Sequence, residues 1–163
     1  MKRREFITLI GGAAAWPRAA RAQKAGGMRR IGILVNGAEA DPEMQVRIAA
    51  FRRELGQFGW AEGHNIRIDS RFSAATPEQL PQLAKELAAL NPEVIFVHTT
   101  PATRALQKET RTIPVVFAGV SDPIGSGIVP SLARPGGNIT GFMLYEEGIT
   151  GKWLGMLKEI AHF

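Results

Sequence analysis

The sequence predicts an α/β protein built on an open parallel sheet that helices cover on both faces. Two observations support this class. Short apolar runs alternate along the chain with amphipathic stretches in a βαβαβαβ order. The first run, residues 31–35, is almost wholly apolar, which is typical of a strand buried on both sides. We therefore expect a Rossmann-like, doubly wound parallel sheet in a single domain.

The first predicted helix begins at Asp41 and Pro42 and ends before Gly59. Aspartate is a favoured N-cap, and proline is tolerated at the first helical position. The apolar residues of this stretch recur at spacings of four and three, so we expect them on one buried face. They are Met44, Ile48, Phe51, Leu55 and Phe58.

A strand over residues 66–72 alternates apolar and charged side chains, which indicates one solvated face and therefore an edge strand. The second helix then has three start signals: Thr76 as N-cap, Pro77 at the first helical position and Gln79 three residues after the cap. Its expected buried stripe is Leu80, Leu83, Leu87 and Leu90.

Three further strands and two helices complete the expected order. The strands are residues 94–97, 114–119 and 139–143, and Pro114 at a strand start is tolerated because no N–H is needed there. One helix follows residues 98–101 and runs to about Glu109. The last begins near Glu147.

Residues 1–22 have the three parts of an export signal. Lys2, Arg3 and Arg4 supply positive charge, residues 6–15 are apolar, and the segment ends in a small-x-small pattern with Ala20 and Ala22 on either side of Arg21. The adjacent arginines favour the twin-arginine type, so we expect a periplasmic protein. The alternatives are a basic arm or a membrane anchor, but the apolar run is shorter than the ~20 residues of a bilayer span. The expected organisation is signal 1–22, flexible leader 23–30 and ligand-binding lobe 31–163.

Charge and composition exclude several function classes. Residues 1–22 hold five of the 20 basic and one of the 15 acidic residues, which leaves 15 and 14, a net charge of +1. Because a phosphate-tracking protein needs its basic excess in the folded domain, we expect no nucleic-acid partner. The chain has no cysteine, so disulfides and thiolate metal sites are excluded.

Polar residues follow the predicted strands at the edge where open parallel sheets bind ligands. They are Asn36 after the first strand, Thr99 and Thr100 after the third, and Ser121 and Asp122 after the fourth. The two threonines stand at a helix start, which suits a carboxylate, and Asp122 suits an ammonium group. Ordinary capping by Thr100 and a simple Asp-Pro turn are the alternatives.

No motif for catalysis or cofactor binding is complete. The GxG of residues 125–127 meets Pro130 where a third glycine is needed, and Gly151 with Lys152 lacks the upstream glycine of a phosphate loop. No GxSxG elbow occurs. His98, at a strand end, has no second ligand at metal spacing, and packing is its expected role. We therefore expect no catalytic residue, no metal and no cofactor.

Several segments, in order, carry a resemblance to a known family. They are residues 2–6, 59–65, 100–102, 113–117 and 121–124, and above all Ser-Leu-Ala-Arg-Pro-Gly-Gly-Asn-Ile-Thr-Gly at 131–141. Together they resemble the substrate-binding proteins of ABC transporters in the tryptophan- and tyrosine-uptake-like group. The resemblance spans nearly the whole chain.

The resemblance implies the N-terminal lobe of a type I periplasmic-binding-protein fold, whose two lobes close on a small amino-acid-like ligand. It implies ligand contacts at Asn36, at Thr99 and Thr100, and at Ser121 and Asp122. It also implies a membrane permease as partner and no enzymatic activity. Family members are about twice as long, so we expect a truncated single lobe with the second lobe missing. A small exported flavodoxin-like enzyme and a non-functional gene fragment are the alternatives.

Overall fold

A computed structural model of the chain describes residues 27–74, 76–144 and 149–161. The predicted export signal and residues 23–26 of the predicted leader lie outside these residues. Five strands run through the described part: β1 (Arg29–Val35), β2 (Ile66–Phe72), β3 (Val94–His98), β4 (Val115–Val120) and β5 (Ile139–Met143). The α-helices described are α1 (Pro42–Gln57), α2 (Leu80–Ala89), α3 (Thr100–Glu109) and α4 (Ile149–Ala161).

The strands form one parallel sheet in the order β2-β1-β3-β4-β5. The chain starts near the middle, moves outward to β2, and then crosses back past β1 to β3 and beyond. This is the predicted doubly wound α/β arrangement, and β2 lies at an edge as its alternating pattern predicts. All five carboxyl ends therefore lie along one edge of the sheet.

The two faces of the sheet are covered unequally. The larger core lies between the sheet and the helices α2 and α3, where Leu87, Leu106 and Phe117 are fully buried. On the other face a smaller cluster joins Ile33, Val35 and Ile48 of α1. Within the described residues, this second face is packed mainly over β1, β2 and β3.

Helix α1 begins where the sequence predicts, but its buried apolar face stops before Phe58. One carboxylate oxygen of Asp41 accepts hydrogen bonds from the backbone N–H groups of Glu43 (2.9 Å) and Met44 (3.4 Å). Ile48 is buried as expected, whereas Phe58 is 80% exposed. The prediction for Phe58 was wrong because α1 ends at Gln57 and Phe58 is the capping residue, outside the helical periodicity.

The predicted start of the second helix needs one correction. Residues Pro77–Gln79 form a 3-10 turn, and α2 starts at Leu80. The Thr76 side chain makes no capping hydrogen bond. The start signals therefore mark the turn that precedes the helix rather than its first α-helical residue.

Strand β1 begins two residues earlier than the predicted boundary of the lobe, because two arginines join it. The Arg29 guanidinium lies 5.1 Å from the centre of the Trp60 ring. Arg30 donates to the carbonyl of Leu90 at 2.8 Å and forms an ion pair with Asp69 at 3.1 Å. Both side chains therefore tie the amino ends of the strands together, although the sequence suggests a solvated leader.

Candidate functional site

The topology places the predicted site residues along one edge of the sheet. Asn36 follows β1, Thr99 follows β3 and Ser121 follows β4, and these three strands are direct neighbours. The register aligns Val35 with His98 and His98 with Ala118, so the strands end at nearly the same level. The candidate site is therefore the carboxyl edge around β3.

Thr99 has the most unusual backbone of the site. Its φ of +83° and ψ of 156° lie in a region that is essentially confined to glycine. The N–H of Thr99 donates to the carbonyl of Ala118 (3.1 Å), and its own carbonyl accepts from the Thr103 hydroxyl (2.7 Å). These bonds hold the residue in a strained conformation, which is common at ligand-binding positions.

The hydroxyl of Thr99 is buried and has no hydrogen-bond partner among the described residues. A buried hydroxyl without a partner is costly, and such groups in native proteins need an explanation. Thr99 also occupies the N-cap position of α3 without a side-chain capping bond, and Thr100 is the first helical residue. Ordinary capping by Thr100, the alternative to ligand contact, is therefore not what the structure shows.

Asn36 is held by the neighbouring edge strand. Its side-chain oxygen accepts a hydrogen bond of 2.8 Å from the hydroxyl of Ser73, which is fully buried at the end of β2. The N–H of Ser73 donates to the carbonyl of Val35 at 3.1 Å. Because the oxygen is occupied, the amide NH₂ is the part of Asn36 that suits a ligand oxygen.

Ser121 and Asp122 lie in an exposed turn after β4. One Asp122 oxygen, Oδ1, accepts from the backbone N–H of Gly125 at 2.7 Å, so the predicted alternative of a local turn is present. A Cβ at Gly125 would lie 2.0 Å from the second oxygen, Oδ2. The turn therefore fixes the position of the carboxylate. Its second oxygen, Oδ2, is held in place by the turn but accepts no hydrogen bond within it.

A cavity of about 260 Å³ opens beside the edge, between α1 and the sheet. Its walls include Met44 and Phe51 of α1 and Phe96 of β3, and the Phe51 and Phe96 rings stack with centres 5.0 Å apart. Arg47 and His98 supply its polar groups. Sequence reasoning placed Met44 and Phe51 in the core and did not consider Arg47, although its spacing from Phe51 places both on one helix face.

His98 is held against Arg47 in this cavity. The Arg47 Nη1 atom lies 3.1 Å from His98 Nε2, and Nδ1 of the ring is buried without a partner among the described residues. Desolvation lowers the pKa of His98, the positive charge of Arg47 lowers it further, and Glu43 opposes both effects. Because a guanidinium can only donate, Nε2 accepts and the proton of the neutral ring is assigned to Nδ1.

Gly119 makes room for the His98 ring. Its φ is +68°, and a Cβ there would lie 2.5 Å from His98 Nε2. A side chain at this position would therefore displace the ring as well as strain the backbone.

The described residues lack two other kinds of feature. No group of three or more His, Asp or Glu side chains in that part of the chain could hold a metal ion. None of the helices described there combines the length and apolarity that a membrane span requires.

Comparison with known proteins adds a family and a set of relatives. The family model described as ABC transporter substrate binding protein matches residues 30–152. A tyrosine-binding protein of Clostridioides difficile (strain R20291) is 29% identical over 100 residues, which are 61% of this chain and 29% of that protein.

Two solved structures are also similar. A conserved domain protein of Vibrio cholerae O1 biovar El Tor matches with a TM-score of 0.73 and 28% identity, over 82% of this chain and 44% of that one. An ABC domain of Streptococcus pneumoniae in complex with L-Trp matches with a TM-score of 0.65 and 27% identity, over 72% and 39%. The chain thus spans less than half the length of each of these proteins.

Proposed function

Because the chain belongs to the ABC transporter substrate-binding protein family, we propose that it binds an amino acid at the carboxyl edge of its sheet, for uptake through an ABC permease. The predicted family and the predicted fold, a lobe like that of periplasmic binding proteins, are both confirmed. The ligand, the permease and the periplasmic location belong to the proposal, as does the absence of enzymatic activity.

The observation that carries the proposal is the buried hydroxyl of Thr99 at the start of α3, which has no hydrogen-bond partner in the described part of the chain. A ligand carboxylate there would accept a hydrogen bond from the hydroxyl and would face the positive end of the helix. Such a bond to a charged group contributes about 1.5–3 kcal/mol. The strained backbone of Thr99 then has a role, since it presents the hydroxyl in this position.

The remaining groups of the edge fit the other parts of an amino acid. Asp122 Oδ2 can accept from the ligand ammonium group, and the Asn36 amide can donate to a ligand oxygen. Relatives described as tyrosine-binding and as complexed with L-Trp support an aromatic amino acid as the ligand. We propose an aromatic amino acid on that basis.

The described lobe exposes this edge to solvent, with Ser121 and Asp122 among the exposed residues. Small-molecule sites usually bury ~70–90% of the ligand surface. We therefore expect the chain to bind its ligand weakly by itself, and to need a second covering surface for high affinity.

An NMR titration of the ¹⁵N-labelled protein tests the proposal. L-Trp, L-Tyr, L-Leu and L-Glu are added in turn, and we expect saturable shifts of the Asn36, Thr99 and Asp122 amides with the aromatic ligands. The ligand should be recovered unchanged, as expected of a binding protein rather than an enzyme.

Two matched variants make the test specific. Thr99→Ala should weaken binding about tenfold through loss of the hydroxyl, whereas Thr112→Ala, an exposed threonine just before β4 at the opposite edge, should leave it unchanged. Unchanged affinity in Thr99→Ala, or shifts confined to the opposite edge, would contradict the proposal.

A further inference from the structure

The segment that carries Asp122 is a turn between β4 and β5, so other parts of the fold must fix its position. Apolar packing anchors two places in it, since Pro123 is buried and, further along, Ile128 and Val129 are buried. The tip between them, residues 124–127, is largely exposed. Asp122 therefore lies next to a tip that apolar packing does not hold.

Two side chains of α3 bind the backbone of this tip. The Arg104 guanidinium donates to the carbonyl of Ser126 at 2.8 Å. The Gln107 amide donates to the carbonyls of Gly127 at 3.0 Å and Ile128 at 3.2 Å. Three successive carbonyls thus accept from two side chains that lie three residues apart, on one side of the helix. We call these contacts the α3 bridge.

The α3 bridge leads to Asp122 through Ser126. The N–H of Ser126 donates to the carbonyl of Asp122 at 3.1 Å, while the Ser126 carbonyl accepts from Arg104. The N–H of the preceding residue, Gly125, donates to Asp122 Oδ1 at 2.7 Å. Movement of the tip away from α3 would therefore displace the carboxylate of Asp122 as well as its backbone.

The same helix begins at the other half of the proposed ligand site. Thr99 is the N-cap of α3, and its carbonyl accepts from the hydroxyl of Thr103 at 2.7 Å and from the N–H of Thr103 at 3.1 Å. Thr103 is fully buried and directly precedes Arg104. Helix α3 is thus bonded to Thr99 at its start and, through the α3 bridge, to the turn of Asp122.

We propose that Arg104 and Gln107 are positioning residues that set the distance between Thr99 and Asp122, and so make the site selective for α-amino acids. The inference rests on the proposed function, which assigns Thr99 to the ligand carboxylate and Asp122 to the ligand ammonium group. An α-amino acid carries both groups on one carbon, so their separation is fixed. A site that binds both groups must hold its own partners at a matching separation, which supporting hydrogen bonds provide.

Comparison of L-Trp with indole-3-propionate tests the proposal, because the second compound has the same ring and carboxylate but lacks the ammonium group. NMR titration gives the dissociation constants of both compounds for the unmodified chain and for the double variant Arg104→Ala/Gln107→Ala. We expect the unmodified chain to prefer L-Trp, and the double variant to bind L-Trp about threefold to tenfold more weakly. Its affinity for indole-3-propionate should stay the same, since Thr99 is unaltered.

Lys108→Ala is the matched control, because Lys108 is an exposed basic residue of the same helix and its replacement removes the same charge as that of Arg104. It should leave both dissociation constants unchanged. The amide signals of residues 31–35 and 94–98 should match those of the unmodified chain in each variant, which shows that the sheet is folded.

The outcomes separate this inference from the proposed function. If neither compound binds the unmodified chain, the proposed function fails and the inference fails with it. If the unmodified chain prefers L-Trp and the double variant keeps that preference, only the role of Arg104 and Gln107 is overturned. Equal losses of affinity for both compounds would also overturn it, because the fold in general, rather than the position of Asp122, would then be disturbed. Equal binding of both compounds by the unmodified chain would overturn it as well, since Asp122 would then contribute nothing.

Discussion

At the scale of single residues, the candidate site depends on backbone conformations that the sequence hides. Nothing in the letters Thr-Thr-Pro indicates that Thr99 has a φ of +83°, because threonine rarely adopts it. The sequence predicted that polar residues gather at the strand ends, since this follows from parallel topology. It could not predict which hydroxyl is buried, because that depends on the bonds to Ala118 and Thr103.

Replacement of Thr99 by glycine should stabilise the fold while it weakens ligand binding. Glycine adopts the observed φ and ψ without strain, so we expect the free energy of unfolding to rise by about 1 kcal/mol. Urea unfolding measures this change. Thr99→Ala also removes the buried hydroxyl but keeps the backbone strain, so its stability should rise by less than that of Thr99→Gly; an equal gain in both variants would refute the strain argument.

Gly119→Ala should destabilise the protein more than Gly127→Ala does. The two glycines have φ values of +68° and +67°, but a Cβ meets His98 Nε2 only at Gly119, and nothing lies within 4 Å at Gly127. The strain of an alanine at positive φ costs about 1 kcal/mol of stability at both positions. Thermal unfolding is measured for both variants, and the difference in their loss of stability reports the contact with His98. Equal losses of stability would show that the His98 ring moves freely.

The lowered pKa of His98 predicts a dependence of stability on pH. The unfolded chain has the ordinary histidine pKa of about 6.5, so below that pH it binds a proton that the folded protein resists. The free energy of unfolding should therefore be highest above pH 6.5 and fall as the pH drops toward the folded-state pKa.

Urea unfolding at a series of pH values between about 5 and 8 measures this dependence. His98→Gln removes the titrating group and should flatten the profile in that window. A native profile identical to that of His98→Gln would show that burial and Arg47 do not affect His98.

At the scale of elements, the local sequence pattern predicted the bounds of strands more accurately than the starts and ends of helices. The predicted bounds of β2 and β5 match the structure, because alternation and flanking turn residues define them. Thr76 and Pro77 were predicted to start a helix but form a 3-10 turn. Both conformations tolerate proline at their first position, so sequence alone does not separate them.

The pairing of β4 with β5 depends on a glycine. A Cβ at Gly141 would lie 2.1 Å from the carbonyl oxygen of Phe117, so Gly141→Ala must separate the two strands locally. We expect a loss of about 1–3 kcal/mol in the free energy of unfolding. Hydrogen exchange should show faster exchange in β5.

Gly137→Ala is the matched control for this change, because a Cβ at Gly137 meets nothing within 4 Å. Faster exchange in β5 should be absent from that variant. If Gly141→Ala left both stability and exchange unaltered, the close approach of β5 to Phe117 would be disproved.

At the scale of the whole molecule, the sequence predicted the sheet but not how its faces are covered. Apolar periodicity shows that a helix has a buried side, without showing what the partner is. Thus α1 and α4 have similar apolar periodicity in the sequence. Ile48 of α1 is nevertheless buried, whereas Leu157 of α4 is exposed. The cavity beside Arg47 was not predicted for the same reason, since it arises where α1 stops covering the sheet.

The central position of β1 also constrains how the protein is made. Its second neighbour, β3, lies far along the chain, and the register pairs Ile31 with Val94. During synthesis, β1 therefore emerges long before one of its edges can be satisfied, and such long-range pairing is slow. An unpaired edge of this kind invites pairing with other nascent chains, so productive biogenesis should depend on chaperone protection until β3 has left the ribosome.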